Sequence, residues 1–268
     1  MHVEKISLNK QDFLYKHKRK DTTFKSSFRT VYNDNFSLKY NTNTCFFRSD
    51  LNWKDFVNYL NTKYKNTQKV NIIDFACSTG EEPYSLAMLL DLQLGKDAEK
   101  FFPIRAFDID EDNIKNAKKG IFSIHKTELD FLENNVEDKY KDYFRVLTDN
   151  YGVPVWFVSN DNIESKVIFE QSDMLKDMFK IPSNNTILLC RNVFPYLTIG
   201  EESNLVKQIS KQLDASSAIV LGCFDISYGI DKLFEKEGFK HTSQYNVMEK
   251  LPYHKAVVQN ILRTFKIK

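Results

Sequence analysis

The stretch Asp74-Phe75-Ala76-Cys77-Ser78-Thr79-Gly80-Glu81-Glu82-Pro83-Tyr84-Ser85 decides the fold. It follows the apolar Val70, Ile72 and Ile73 and precedes Leu86, Ala87, Met88, Leu89 and Leu90. An apolar run, a turn of small residues and a second apolar run predict a buried strand over 70–75 and a helix over 83–94. Pro83 suits the first turn of that helix, where a missing N–H costs nothing. In an α/β sheet the crevice beyond the strands' carboxyl ends receives ligands. Here it holds one glycine and two adjacent carboxylates, the wrong charge for a phosphate cradle. A ligand with hydroxyls and a cationic centre suits it better.

Working outward, the same alternation recurs. A helix is expected over 51–60 from the spacing of Trp53, Phe56, Val57 and Leu60. Strands are expected over 104–107, 167–171, 187–190 and 218–223, and helices around 112–118, 201–213 and 230–237. Gly120 and Gly238 end two of these helices. Strands near 239–245 and 257–265 complete the pattern. Strands alternating with helices predict an α/β fold with a mostly parallel, doubly wound sheet. The interruption lies at about 121–165, where a charged helical stretch (121–145) and a strand over 153–159, followed by a turn at 160–162, indicate a small antiparallel β-subdomain. The chain divides into a basic arm over 1–40 and one domain over 41–268. In the arm, Lys16, Lys18, Arg19, Lys20, Lys25 and Arg29 outnumber Asp12 and Asp21. It reads as a solvated segment, with a patch for an acidic protein surface or nucleic acid as the alternative.

Bulk properties narrow the function classes. With 42% hydrophobic residues, 22 Phe and 13 Tyr, the 268-residue chain can bury a sizeable core rich in aromatics. No run approaches the roughly 20 apolar residues of a bilayer span, so membrane insertion is not expected. Met1-His2-Val3-Glu4-Lys5 has no apolar stretch behind it, which does not read as a secretory signal and points to the cytoplasm. Cys45, Cys77, Cys190 and Cys223 form no C-x-x-C pair, and Cys77 and Cys190 read as buried thiols, so no metal site is expected. His2, His17, His125, His241 and His254 are dispersed and read as surface or packing residues. A net charge of +2 gives no general case for a polyanionic partner, and a nucleic-acid substrate is a minor alternative. The default oligomeric state is a monomer.

Three further strand ends carry polar residues. Asp108 closes the strand after the glycine turn, where an acidic side chain binds ribose hydroxyls, although an N-cap role is the competing reading. Asp173, followed by Met174, can accept from an adenine amino group while Met174 packs on the ring; a turn-starting aspartate is the alternative. Arg191-Asn192-Val193-Phe194-Pro195-Tyr196 runs straight out of an apolar strand, with Tyr196 able to overhang a reacting group. The absence of G-x-G-x-x-G argues against a dinucleotide. S-adenosylmethionine, with its ribose, adenine and sulfonium, meets all four strand ends.

At these positions the chain resembles the CheR family, chemoreceptor glutamate O-methyltransferases that use S-adenosyl-L-methionine. The resemblance rests on Ala76-Cys77-Ser78-Thr79-Gly80-Glu81-Glu82-Pro83-Tyr84-Ser85, Phe107-Asp108-Ile109-Asp110, Cys190-Arg191-Asn192-Val193 and Thr44-Cys45-Phe46-Phe47-Arg48, and covers about 40–225. It implies a class I, Rossmann-like methyltransferase. It also implies that Thr44 and Arg48 contact the methionine end of the cofactor. Ala76 lies in the signature turn, and Glu81 is expected toward the ligand with Glu82 supporting the helix start. Asp108 holds the ribose, Asp173 and Met174 frame the adenine, and Arg191 and Asn192 line the site. Tyr196, with Arg48, orients the methyl transfer. Thr42 stands where the family has Asn, and Asp173 also replaces an Asn. About 40 residues precede the catalytic region, fewer than the helical domain of chemotaxis members, and the Gly- and Arg-rich tethering loop has no counterpart between Asp149 and Val158. The expected acceptor is a protein carboxylate; a small-molecule carboxylate or hydroxyl, or a non-catalytic cofactor-binding module, are the alternatives.

Overall fold

The structure, a computed structural model, describes residues 29–32, 38–42, 44–122, 124, 126–148, 154–158 and 161–252. Its strands are β1 (Arg29–Tyr32), β2 (Leu38–Thr42), β3 (Asn71–Phe75), β4 (Ile104–Asp108), β5 (Ile121–Phe122), β6 (Phe144–Thr148), β7 (Pro154–Val158), β8 (Val167–Gln171), β9 (Thr186–Cys190), β10 (Ala218–Leu221), β11 (Phe239–His241) and β12 (Val247–Lys250). The helices that matter here are α1 (Trp53–Lys63), α2 (Glu81–Leu94), α3 (Glu111–Lys119), α4 (Lys126–Val136), α5 (Met174–Asp177), α6 (Ile199–Gln212), α7 (Cys223–Ser227) and α8 (Ile230–Lys236).

A seven-stranded sheet in the order β11-β12-β10-β9-β3-β4-β8 forms the centre. The pairs β8–β4, β4–β3, β3–β9 and β9–β10 are parallel, and β12 runs antiparallel between β10 and β11. This is the strand arrangement of class I methyltransferases, with the order reversing between β3 and β9, where crossovers leave to opposite sides and a crevice opens. The period-two alternation of strand side chains splits β3 between two cores. Ile72 packs with α1, α2 and α3, whereas Ile73 and Phe75 pack with α6 and α8. Helices therefore cover both faces, as near-continuous apolar strands such as β9 (TILLC, wholly buried) require.

The expected helical stretch over 121–145 resolves into more elements. β5 and β6 flank α4, and β7 pairs antiparallel with both in the order β5-β7-β6. Burial of Phe144 against Phe122 and Trp156, whose rings interlock edge-on with it, outweighed the charge content that suggested helix. At the front, β1 and β2 pair antiparallel, largely within the stretch expected to be an arm; the rest of that arm, 1–28 and 33–37, lies outside the described residues. The last described strand of the sheet is β12 at 247–250, which was not expected, and the strand expected over 257–265 lies outside the described residues. No described helix is long and apolar enough to cross a membrane.

Candidate functional site

Between β3 and α2 the chain passes through alternate left-handed residues, Ala76 (φ 61°), Ser78 (φ 53°) and Gly80 (φ 99°). Such conformations in non-glycine residues cost about 1–3 kcal/mol and persist only where surrounding contacts impose them. The ties are the Cys77 N–H to Phe107 O (2.9 Å) and the Ser78 N–H to Asp108 Oδ2 (2.8 Å). Gly80 has no alternative, because a Cβ there would stand 3.0 Å from the Phe169 ring and 3.2 Å from Ala117 Cβ. The loop thus crosses the ends of β3 and β4, and Ala76, Cys77 and Ser78 line the crevice there.

Asp108 closes β4 and is buried. Its Oδ2 accepts from Ser78, and its Oδ1 accepts from the Asp110 N–H (2.9 Å) and Asn113 Nδ2 (3.2 Å). Burial raises its carboxyl against these hydrogen bonds. Asp110, not Asp108, caps α3. Each carboxylate oxygen has two acceptor directions, so Oδ2 retains one for a further donor.

Phe46 and Phe47, both fully buried, fix the segment that carries Thr44 and Arg48. The Phe46 N–H donates to Glu128 on α4 (2.9 Å) and the Phe47 N–H to Ser85 Oγ on α2 (2.9 Å). Arg48 is thereby turned to the crevice, where Nε donates to Asp50 Oδ1 (3.2 Å) and a terminal nitrogen lies 4.0 Å from Glu82. Arg191, at the end of β9, has a wholly buried side chain, pairs with Glu82 (2.8 Å) and Asp50, and stacks on Trp53 with 5.1 Å to the ring centroid. Burial works to raise the Asp50 carboxyl, yet Arg191 and then Arg48, with hydrogen bonds from Asn192 and the Cys223 N–H, bring it down to about 2.

These elements enclose a cavity of about 320 Å³ at the carboxyl ends of β3, β4, β8, β9 and β10. Of the expected site residues, Thr44, Arg48, Ala76, Asp108, Asp173, Met174, Arg191, Asn192 and Tyr196 line it. Asp173 also caps α5 through the Leu175 N–H (3.0 Å), so both readings of that residue hold at once. Thr42 ends β2, and the description there is of backbone alone.

Glu81, expected toward the ligand, is placed apart from these residues. It does not line the cavity and is buried beneath the loop, where Thr79 Oγ1 donates to both its oxygens (3.0 and 2.8 Å). Burial raises it to about 7, even with the Thr79 and Thr44 hydroxyls donating to it. Glu82 faces the cavity instead. Glu81 shares a helix face with Ser85, four residues on, and that face packs under the Thr44–Arg48 segment; the next residue is rotated by 100° toward the strand ends. Glu82 Oε2 holds Arg191, while its Oε1 is buried with no partner. Sequence reasoning also missed Asp50, whose only signal was its place two residues after Arg48.

The donor set fits S-adenosylmethionine. An unpartnered buried carboxylate oxygen on the cavity wall calls for a cationic donor such as the cofactor's ammonium group. Asp108 has acceptor capacity for a ribose hydroxyl, and Ile109, Met174 and Leu175 supply apolar surface for an adenine. Phosphate fits poorly, since both guanidinium groups at the cavity are already engaged by Asp50 and Glu82. Among the described residues no cluster of three or more His, Cys, Asp or Glu could hold a metal. His241, the one described histidine, faces Asp231 (3.2 Å) away from the cavity.

A family model described as CheR methyltransferase, SAM binding domain, matches residues 42–243. Among curated proteins, the chain is 24% identical over 185 residues to chemotaxis protein methyltransferase 2 of Vibrio cholerae, covering 68% of this chain and 60% of that protein. It is 23% identical over 210 residues to the chemotaxis protein methyltransferase of Listeria monocytogenes, covering 78% and 71%. To the probable biofilm formation methyltransferase WspC of Pseudomonas aeruginosa it is 26% identical over 158 residues, covering 57% and 33%. The match thus spans only part of each relative's length.

Proposed function

Because the chain belongs to the CheR methyltransferase family, whose S-adenosylmethionine-binding domain matches residues 42–243, we propose that it methylates a protein glutamate side chain to its methyl ester. The observation that carries the cofactor half of this reading is the buried, unpartnered Glu82 Oε1 on the wall of a cavity otherwise built for a nucleoside. Glu82 and Thr44 would hold the methionine end, Asp108 the ribose, and Asp173 with Met174 the adenine. Bound there, S-adenosylmethionine would supply a methyl group activated by its sulfonium.

A glutamate acceptor is ionised at neutral pH, its reference pKa being about 4.3, so no general base is needed. The work left to the protein is alignment and exclusion of water from the nucleophile. Arg48, held by Asp50 at the cavity and only partly exposed, takes a positioning role in the methyl transfer. Tyr196, on the turn after β9, lies at the same cavity and orients the methyl group. The chemotaxis relatives favour a receptor-type protein as acceptor over a small molecule.

The experiment is to incubate the chain and S-adenosylmethionine with a lysate of the cells that make it, and to seek a one-methylene mass gain on glutamate. The proposal expects such a gain that mild alkali removes. A gain confined to lysine, arginine or small metabolites would reject it.

A further inference from the structure

Asp225, on α7, is fully buried and does not line the cavity. Its Oδ2 accepts from the N–H groups of Asn192 (2.5 Å) and Gly222 (2.8 Å), and its Oδ1 from the N–H of Phe194 (3.1 Å). Those donors belong to two loops, one leaving β9 and one leaving β10. Capping a five-residue helix needs a single acceptor; bridging three N–H groups across two loops needs an acceptor-only group with two oxygens. An asparagine would turn an NH2 group against at least one N–H.

We propose that Asp225 is a positioning residue for methyl transfer: it clasps the loop after β9 in the conformation that sets Tyr196 at the cavity. The proposal rests on the reading of Tyr196 given above. Asn192, beside it, is left-handed (φ 58°), a conformation asparagine adopts more readily than other non-glycine residues but still at a cost. Its side chain is held as firmly as its backbone: Oδ1 accepts from the Phe224 N–H (2.9 Å) and Nδ2 donates to Asp50 Oδ2 (3.1 Å). It crosses directly over Gly222, where an added Cβ would lie 2.2 Å from Asn192 Oδ1. From Asn192 the chain enters the single turn Phe194–Tyr196, closed by the Tyr196 N–H to Val193 O (3.0 Å). Without the clasp Asn192 relaxes toward right-handed backbone and the turn that carries Tyr196 shifts with it.

The test uses the full chain with Asp225→Asn, and Gly222→Ala as a second variant that dislodges Asn192 while keeping the carboxylate. Four readouts are taken: amide exchange at Asn192 and Phe194, the Tyr196 ring resonance in tyrosine-labelled protein, S-adenosylhomocysteine affinity, and the initial rate of base-labile methyl transfer into lysate protein at saturating S-adenosylmethionine. In both variants the amides should exchange at least about tenfold faster, the resonance should move, and the rate at saturating cofactor should fall about 10- to 100-fold, a larger factor than any loss of S-adenosylhomocysteine affinity that follows from moving Asn192 at the cavity wall. Unchanged exchange, or faster exchange with an unmoved resonance and undiminished rate, overturns the proposal. Tyr196→Phe, run alongside, separates the failures: if it too retains the full rate, the role of Tyr196 is what is wrong. Should Asp225→Asn not fold, Gly222→Ala decides on the same readouts.

Discussion

Replacing Glu82 by Gln should cost far more cofactor affinity than the same change at Glu81, although the two are adjacent and chemically identical. Glu82 Oε1 is a buried acceptor with no partner, and Oε2 holds Arg191 at 2.8 Å. A hydrogen bond between charged groups contributes about 1.5–3 kcal/mol, which corresponds to roughly a 10- to 150-fold change in dissociation constant. Glu82→Gln removes the charge from the cavity wall and weakens the hold on Arg191, so the upper half of that range is expected. Glu81 already receives two Thr79 contacts (3.0 and 2.8 Å) outside the cavity. Its replacement should change affinity by no more than about threefold, the scale of a neighbouring structural adjustment. Titration calorimetry with S-adenosylhomocysteine on both variants gives the ratio directly. Equal losses, or a larger loss at Glu81, would refute the assignment of Glu82 to the ligand.

Tyr196→Phe should lower the rate of methyl transfer at least about tenfold while leaving the S-adenosylhomocysteine dissociation constant within about twofold, since it removes an orienting hydroxyl and no cofactor contact; steady-state rates with calorimetry check this. Gly80→Ala should lower the melting temperature by an amount equivalent to about 2–4 kcal/mol, because φ of 99° and a Cβ 3.0 Å from Phe169 act together. Denaturant titration would show otherwise if the variant were as stable as the parent. Burial raises Glu81 to about 7. The folded state therefore holds a proton that the unfolded state releases near pH 4.5, and the stability this group contributes is fully present below that pH and lost as pH rises to about 7. Glu81→Gln should flatten that decline, as melting curves between pH 5 and 8 can show; an unaltered slope would mean Glu81 is ionised in the fold throughout.

Much of this architecture could be read from residue patterns, for reasons specific to particular elements. The strand-turn-helix at β3–α2 was legible because Val70, Ile72 and Ile73, the small-residue turn and Leu86–Leu90 change character abruptly. Asp108 and Asp173 were legible because the first ends an apolar strand and the second follows the end of one by two residues. The division between Glu81 and Glu82 was not, since it depends on which face of α2 meets the Thr44–Arg48 segment, a contact made by residues nearly 40 positions apart. Asp50 and Asp225 escaped for the same reason: their partners lie 141 and 31 to 33 residues away and meet only when β3, β9 and β10 are side by side. The strands β5 and β6 were hidden by the charged residues between them, because a strand with one face in solvent tolerates charge as readily as a helix does.

The central claim is that this cavity delivers a methyl group to a carboxylate oxygen. It is tested most directly by supplying S-adenosylmethionine with a radiolabelled methyl group to the chain and lysate protein, precipitating the protein, and treating it with mild alkali. A carboxyl methyl ester is hydrolysed under those conditions, so the label should leave as volatile methanol, and Tyr196→Phe should slow its accumulation. Label that stays on the protein after alkali would place the methyl group on nitrogen and contradict the account.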